Sequence, residues 1–140
     1  MFHKVLVALD GSAGAQRALQ AALQIVHEQE LDLWLVSVEE DLPRYVATRD
    51  EFEAEKERAN HYAIAIQEQA EHLAQQAGAQ VHRAVLVGHP AKQIVDYAAK
   101  GGFDLLVIGH SGHSNLWGSF LGTNADKIVR HAPCTVMVVR

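Results

Sequence analysis

Five short apolar segments, separated by segments of helical periodicity, constrain the fold of this chain more than any other feature. The apolar segments are rich in β-branched residues and end at turn formers, which is typical of strands covered on both faces. They are KVLVAL, LDLWLVSV, QVHRAVLVG, DLLVIG and CTVMVV, at residues 4–9, 31–38, 80–88, 104–109 and 134–139. Strands that alternate with helices predict a parallel sheet with helices packed on both of its faces.

The segments between the strands predict helices, because their apolar residues recur at helical spacing. Ser12 suits the N-cap of the first helix, and Pro90 suits the first turn of the third. The helices are expected at residues 13–28, 50–77, 90–101 and within 119–132.

The second predicted helix is the longest. Residues 39–49 before it contain a proline and show no clear period, so they are expected to form a loop that ends in a cap at Asp50. Gly78 suits the C-terminal end of this helix. Its predicted buried stripe is Ala59, Tyr62, Ala63, Ile66, Ala70, Leu73 and Ala77.

The predicted fold is a single α/β domain over residues 1–140, a doubly wound five-stranded parallel sheet of strand order 3-2-1-4-5 with helices on both faces. In that order the topological switch point lies between the first and fourth strands, and ligands bind beyond the carboxyl ends of the strands there. The loops after Asp10 and after Gly109 border this crevice. These two loops are therefore the predicted location of a ligand-binding site.

Charge and cysteine content exclude several classes of function. The formal net charge of −5 argues against sequence-independent binding to nucleic acid or to an anionic membrane. The single cysteine, Cys134, leaves no partner for an intrachain disulfide or for a thiolate metal site. The apolar run near the start is too short for a signal-peptide core or a membrane span, so we expect a cytoplasmic protein without membrane insertion.

The segment VIGHSGHSNLWGSFLGTNADKIV, residues 107–129, contains the glycines Gly109, Gly112 and Gly122, and Thr123 follows the last. Glycines let a ligand approach bare backbone amides, and the next helix would add the positive end of its dipole, which together suit a phosphate. Within the first turns of that helix, Gly122 would cost about 1 kcal/mol relative to alanine. The alternative is that the glycines only shape a tight strand-to-helix connection, because isolated glycine motifs are weak signals.

The pattern Gly109-x2-Gly112-x9-Gly122-Thr123 resembles the nucleotide motif of ATP-binding universal stress proteins. Three further segments resemble the same family: VLVALDGS its opening strand and acidic turn, VGHPAKQIVDYA its third strand exit and next helix, and IVRHAPCTVMVV its closing helix and strand. The resemblance covers essentially the whole chain.

The resemblance implies a pocket for ATP, ADP or AMP, with Mg²⁺ held mainly by the phosphates. It places Asp10 near the ribose and the metal–phosphate region, and the main chain of Val38 against adenine. The implied phosphate-binding positions are Gly109, Gly112, Gly122, Thr123 and Asn124.

Histidines occupy two places where the family often has other residues. His110 and His113 stand where an arginine is common, and His89 stands where an acid or an amide is frequent. His110 and His113 could contact phosphate as imidazolium, which predicts tighter ATP binding at about pH 6 than at about pH 8. They could also be solvent-exposed loop residues, or form a zinc site together with His89.

Three acidic residues near the strand ends leave alternatives open. Asp10 could be a helix cap and nothing more. Glu39 and Glu40 are expected to be solvated, although they could imitate the acid that binds ribose in dinucleotide folds. The first turn, DGSAGA, lacks the three-glycine fingerprint, so NAD fits poorly.

Catalytic residues are not evident in this sequence. No lysine precedes Thr123 as it would in a P-loop, and no spacing supports a Ser-His-Asp set. We therefore expect a stress-response or signalling module that holds adenine nucleotide rather than a fast enzyme. The alternatives are a slow ATPase or nucleotidyl-transfer enzyme on the same fold, and a nucleotide-free interaction protein.

Residues 134–139 form an apolar edge strand without proline in the predicted order. Antiparallel pairing of two copies would cover this edge, and the family resemblance also implies such homodimers. Alternatively, the chain's own helices shield it. Residues 41–51 could cover adenine or have no role, and an unknown protein partner is possible.

Overall fold

The computed structural model of the chain describes residues 2–40, 48–110 and 121–140. Its elements, in chain order, are β1 (Lys4–Ala8), α1 (Ala13–Glu28), β2 (Asp32–Glu39), α2 (Arg49–Gln76), β3 (Val81–Val87), α3 (Pro90–Gly101), β4 (Leu105–Gly109), α4 (Thr123–His131) and β5 (Thr135–Val139). The strands form one parallel sheet of order β3-β2-β1-β4-β5, which confirms the predicted fold class and strand order.

Both faces of the sheet are covered, as the continuous apolar strands predicted. Val5 and Val7 of β1 pack in one core with residues of α1 and α2. Leu6 lies on the opposite face, in a second core with Ile94 of α3 and Ile128 of α4. Because β1 is buried on both faces and lies between β2 and β4, its carboxyl end opens at the switch point of the sheet.

The start of α2 differs from the prediction that Asp50 caps it. Thr48 is the N-cap, because its Oγ1 accepts a hydrogen bond from the Glu51 amide at 3.2 Å while the Glu51 carboxylate accepts one from the Thr48 amide at 3.2 Å. This reciprocal capping box satisfies two amides that no helical carbonyl can reach, whereas a cap at Asp50 would leave both unpaired. Gly78 lies just beyond the helix with a φ of 79°, as its predicted role requires.

The predicted buried stripe of α2 is correct for Ala63 and Ala70 and wrong at its edges. Tyr62 is 58% exposed, and Ala77 is exposed as well. The buried side of the helix instead includes Gln67, whose amide Nε2 donates to the Ala84 carbonyl of β3 at 2.6 Å. A polar residue can lie on this face because its hydrogen bond offsets the cost of burying it.

Gly122 does not lie within the first turns of α4. It is the N-cap, with φ −61° and ψ 155°, and the helix begins at Thr123. The cost predicted for a glycine inside a helix therefore does not apply, since an N-cap residue has extended backbone.

No helix in the part of the chain that the structure describes is both long enough and apolar enough to span a membrane.

Candidate functional site

A cavity of about 500 Å³ opens beyond the carboxyl ends of β1, β2 and β4. Its size falls within the range of small-molecule sites, and its position is the switch point of the sheet. α2 contributes a wall of Ala59, Tyr62, Ala63 and Ile66, and the opposite wall comes from α3 and α4. The cavity brings together Asp10, Val38, Gly109, Gly122, Thr123 and Asn124, which are six of the predicted site residues.

The turn between β1 and α1 forms one side of the cavity. The Asp10 carboxylate accepts a hydrogen bond from the Ser12 amide at 2.9 Å, and the Ser12 hydroxyl caps α1 by accepting from the Ala15 amide at 3.1 Å. The capping role considered for Asp10 thus belongs to Ser12, which confirms the predicted N-cap. Asp10 orders the turn and lies exposed in the cavity wall.

Gly109, at the end of β4, lies against the first turn of α1. A Cβ atom at Gly109 would lie 2.6 Å from the carbonyl carbon of Gly14 and 2.8 Å from its oxygen. Real Cβ atoms do not approach backbone this closely, so packing alone requires glycine here, as the structural alternative proposed. The same glycine also lines the cavity.

The N-terminus of α4 faces the cavity through Gly122, Thr123 and Asn124. Gly122 makes no side-chain cap, and its own amide donates to the His110 carbonyl at 3.0 Å. The first amides of a helix have no partner within the helix. Together with the helix dipole, they form a site suited to one anionic group.

His110 is buried, which contradicts the alternative that it is a solvent-exposed loop histidine. Its amide donates to the Val139 carbonyl of β5 at 2.8 Å, so its main chain links β5 to the N-cap of α4. His110 is absent from the described cavity lining. Gly112 and His113 lie outside the described residues. The pH dependence of ATP binding, which depends in part on His113, therefore stays a prediction.

His89 is the exposed N-cap residue of α3, and its side chain makes no cap hydrogen bond. Over residues 2–40, 48–110 and 121–140, histidine, cysteine and acidic side chains nowhere form a group of three or more that could hold a metal ion.

The main chain of Val38 points into the cavity. The Leu9 amide donates to the Val36 carbonyl at 2.8 Å, so Val36 faces β1, and alternate residues of a parallel strand face the same neighbour. Val38 therefore also faces β1, but the register of β1 ends at the pair Ala8 and Val36. On this side the Val38 peptide group lies beyond the end of β1 and faces the cavity, where a planar base can form hydrogen bonds with it.

Ser37 and Glu39 form a polar part of the cavity that the sequence interpretation missed. Glu39 is 7% exposed rather than solvated, and its Oε1 accepts a hydrogen bond from Asn60 Nδ2 of α2 at 2.7 Å. Ser37 is 4% exposed, and its hydroxyl has no hydrogen-bond partner among the described residues. The alternation of side chains along β2 could have predicted their burial, because Ser37 and Glu39 lie on the same face of the strand as the core residues Leu33 and Leu35.

Comparisons with known proteins identify the relatives of this chain. The sequence model of the Universal stress protein family matches residues 1–140. Universal stress protein YxiE of Bacillus subtilis is 30% identical over 153 residues, which cover 100% of both chains.

Two solved structures show the same fold. Universal stress protein UspA from Lactobacillus plantarum superposes with a TM-score of 0.86 at 25% identity, over 99% of this chain and 98% of that chain. A universal stress protein in complex with cAMP superposes with a TM-score of 0.76 at 28% identity, over 99% of this chain and 97% of that chain.

Proposed function

The chain belongs to the universal stress protein family, and from this membership we propose that residues 1–140 form an adenine-nucleotide-binding domain that acts in stress response or signalling in the cytoplasm. One observation carries the proposal. Within the described part of the chain, the cavity at the switch point joins the main chain of Val38 beyond the end of β1, the carboxylate of Asp10 and the N-terminus of α4 at Gly122, which has no side-chain cap there. These are groups suited to a base, a ribose and a phosphate, in that order along the carboxyl edge of the sheet.

In the proposed complex, adenine pairs with the main chain of Val38 and the ribose hydroxyls donate to Asp10. The phosphates meet Gly109, Gly122, Thr123 and Asn124, with Gly112, His110 and His113 as further proposed positions. Mg²⁺, when ATP or ADP is bound, is held mainly by the phosphates. The ligand is retained rather than rapidly turned over, and its presence changes the surface offered to a protein partner.

The relative whose structure is described as a complex with cAMP supports this assignment. Its identity of 28% and its coverage of nearly the whole chain make adenine nucleotides the first ligands to test.

The test is mass spectrometry of the ligand released when freshly purified protein is denatured. We expect an adenine nucleotide from the unmodified chain. Gly122→Val should release none while keeping the fold, because a branched side chain at the N-cap would enter the cavity at a φ of −61° that valine can adopt. Ala99→Val, at an exposed position of α3 outside the cavity wall, is the matched control.

If no adenine nucleotide is released, and if none binds the chain at millimolar concentration in calorimetry, the proposed function is wrong.

We propose further that the protein is a homodimer in which β5 pairs antiparallel with β5 of a second copy. β5 is an outer strand of the sheet, its sequence TVMVV contains no charge, and proline is absent from it. An apolar edge that pairs with no further strand in the described part of the chain is a template for a strand of another copy.

A further inference from the structure

Tyr62 lies on the apolar stripe of α2 by helical spacing, yet 58% of its surface is exposed. Its neighbours on that stripe, Ala59, Ala63 and Ile66, line the cavity together with it. Two of these neighbours are alanines, so the tyrosine ring is the largest side chain in this wall. An exposed aromatic ring in a cavity wall is apolar surface that a ligand can cover, and covering it is favourable.

The hydroxyl of Tyr62 lies against the turn between β1 and α1. A Cβ atom at Gly11 would lie 2.7 Å from the hydroxyl oxygen of Tyr62, and Gly11 has a φ of 83° that favours glycine. The tyrosine therefore reaches from α2 to the residue that follows Asp10. Because Asp10 and Tyr62 both line the cavity, the ring borders the position proposed for the ribose.

Two hydrogen bonds hold α2 against the sheet on either side of Tyr62. Asn60 Nδ2 donates to Glu39 Oε1 of β2 at 2.7 Å, and Gln67 Nε2 donates to the Ala84 carbonyl of β3 at 2.6 Å. These bonds fix the backbone of α2 on both sides of the tyrosine. A side chain that is already in place when the ligand arrives loses less freedom on binding.

We infer that Tyr62 is a ligand-contacting residue whose ring packs on the ribose of the bound nucleotide and retains it in the cavity. The inference rests on the proposed function and adds a residue that belongs neither to the glycine motif nor to the acidic turn. Since the ring covers the ligand rather than attracting its charge, it acts mainly on the dissociation rate. The hydroxyl lies at the Gly11 turn, so phenylalanine retains the contact.

The first test measures nucleotide binding by the full chain after co-purified ligand has been removed. Tyr62→Ala should lower the affinity for AMP and for ATP with Mg²⁺ on the order of tenfold, because both ligands carry the ribose. Most of this loss should be a faster dissociation in surface plasmon resonance. Tyr62→Phe should bind both within about twofold of the unmodified chain.

His61→Ala is the matched control, since His61 is exposed at the adjacent position of α2 and is not among the described residues of the cavity wall. It should leave both affinities unchanged. Urea unfolding of the three ligand-free variants should match that of the unmodified chain, because both positions are largely exposed. A loss of affinity then comes from the contact with the ligand and not from the fold.

The second test detects the covering of the ring directly. Tetranitromethane nitrates accessible tyrosines, and peptide mass spectrometry measures the extent at each position. Tyr62 should react in the ligand-free chain and should be protected by saturating AMP. Tyr97, which stacks on Phe103 in the core of the other face of the sheet, is the internal control, and its reaction should not depend on AMP.

The outcomes separate the two claims. If Tyr62→Ala binds AMP as tightly as the unmodified chain, or if saturating AMP leaves the nitration of Tyr62 unchanged, the inference is refuted while nucleotide binding stands. A loss in Tyr62→Phe as large as that in Tyr62→Ala would also refute it, since the hydroxyl and not the ring would then make the contact. If the unmodified chain binds neither nucleotide at millimolar concentration, the proposed function fails and the inference fails with it.

Discussion

At the scale of single residues, two buried serines beside the cavity make opposite contributions to stability. The Ser12 hydroxyl caps α1 by accepting a hydrogen bond from the Ala15 amide. The Ser37 hydroxyl is buried at the end of β2, with no partner among the described residues. A buried hydroxyl that lacks a hydrogen bond loses its interaction with water and gains nothing in return. The same chemical group therefore stabilises the fold at one position and costs free energy at the other.

Replacement of each serine by alanine tests this difference. Ser12→Ala should lower the free energy of unfolding by about 1 kcal/mol, since the N-cap is lost. Ser37→Ala should leave it unchanged or raise it by about 1 kcal/mol, since only an unsatisfied group is removed. Urea denaturation of the two variants gives both values. A loss in Ser37→Ala as large as that in Ser12→Ala would show that the Ser37 hydroxyl has a partner in solution.

At the scale of elements, the amino ends of β1 and β4 are held together by the carboxylate of Asp104. It accepts hydrogen bonds from the His3 amide at 2.8 Å and from the Lys4 amide at 3.0 Å, while the Asp104 amide donates to the Lys4 carbonyl at 3.0 Å. Burial alone would raise the pKa of this carboxyl, but the amide hydrogen bonds outweigh it and hold the pKa below its ordinary value. The carboxylate form is therefore the one that the fold favours.

Replacement of Asp104 should give a pH-dependent loss of stability. A carboxyl whose pKa is lowered on folding adds stability above its unfolded pKa of about 4, and that stability disappears as the pH falls through the folded value. Asp104→Asn should therefore unfold more easily than the unmodified chain at neutral pH, by about 2 kcal/mol for charged hydrogen bonds.

Chemical denaturation at pH 7 and in the acid range would measure this difference. It should shrink as the pH falls below about 4. A difference that stays constant across this range would mean that the charge of Asp104 makes no contribution. Asp96→Asn, on the exposed side of α3 next to Lys92, is a surface control and should change stability little.

At the scale of the whole molecule, the two outer strands of the sheet differ in how they resist association. β3 exposes His82, which pairs with Asp32, and Arg83, which pairs with Glu71 at 3.0 Å. Charged and polar side chains on an edge discourage pairing with another strand. β5 carries no charged residue from Thr135 to Val139. Of the two edges, β5 is therefore the one suited to pairing with a second copy.

Proline substitution tests which edge associates. The Val139 carbonyl accepts from His110, so Val139 faces β4, and Val138 must face outward. Val138→Pro thus removes an outward amide without breaking a bond to β4, and it should convert the proposed dimer to a monomer in light scattering. Val85→Pro, at an outward position of β3, is the matched control and should remain dimeric. A monomeric unmodified chain, or a dimer that survives Val138→Pro, would contradict pairing through β5.

The sequence by itself determined the fold class, the strand order and the location of the cavity. The alternation of strands and helices depends on hydrophobic periodicity and on turn formers, which are local properties of each segment, whereas the strand order and the switch point were predicted from the flavodoxin-like order of doubly wound folds. The same is true of the N-cap at Ser12 and of the glycine end of α2. The family was also predicted from the glycine motif, because the role of this motif depends on main-chain amides that glycines expose rather than on side chains from other segments.

Only the tertiary structure decided which residues contact one another. It buried Glu39 beside Asn60, left the hydroxyl of Ser37 without a partner among the described residues and placed Gln67 on the inner face of α2. It also made Gly109 a packing requirement against Gly14. Each of these depends on two segments distant in the chain that meet in space. The periodicity of one segment does not determine which polar group will lie opposite it on the segment that packs against it.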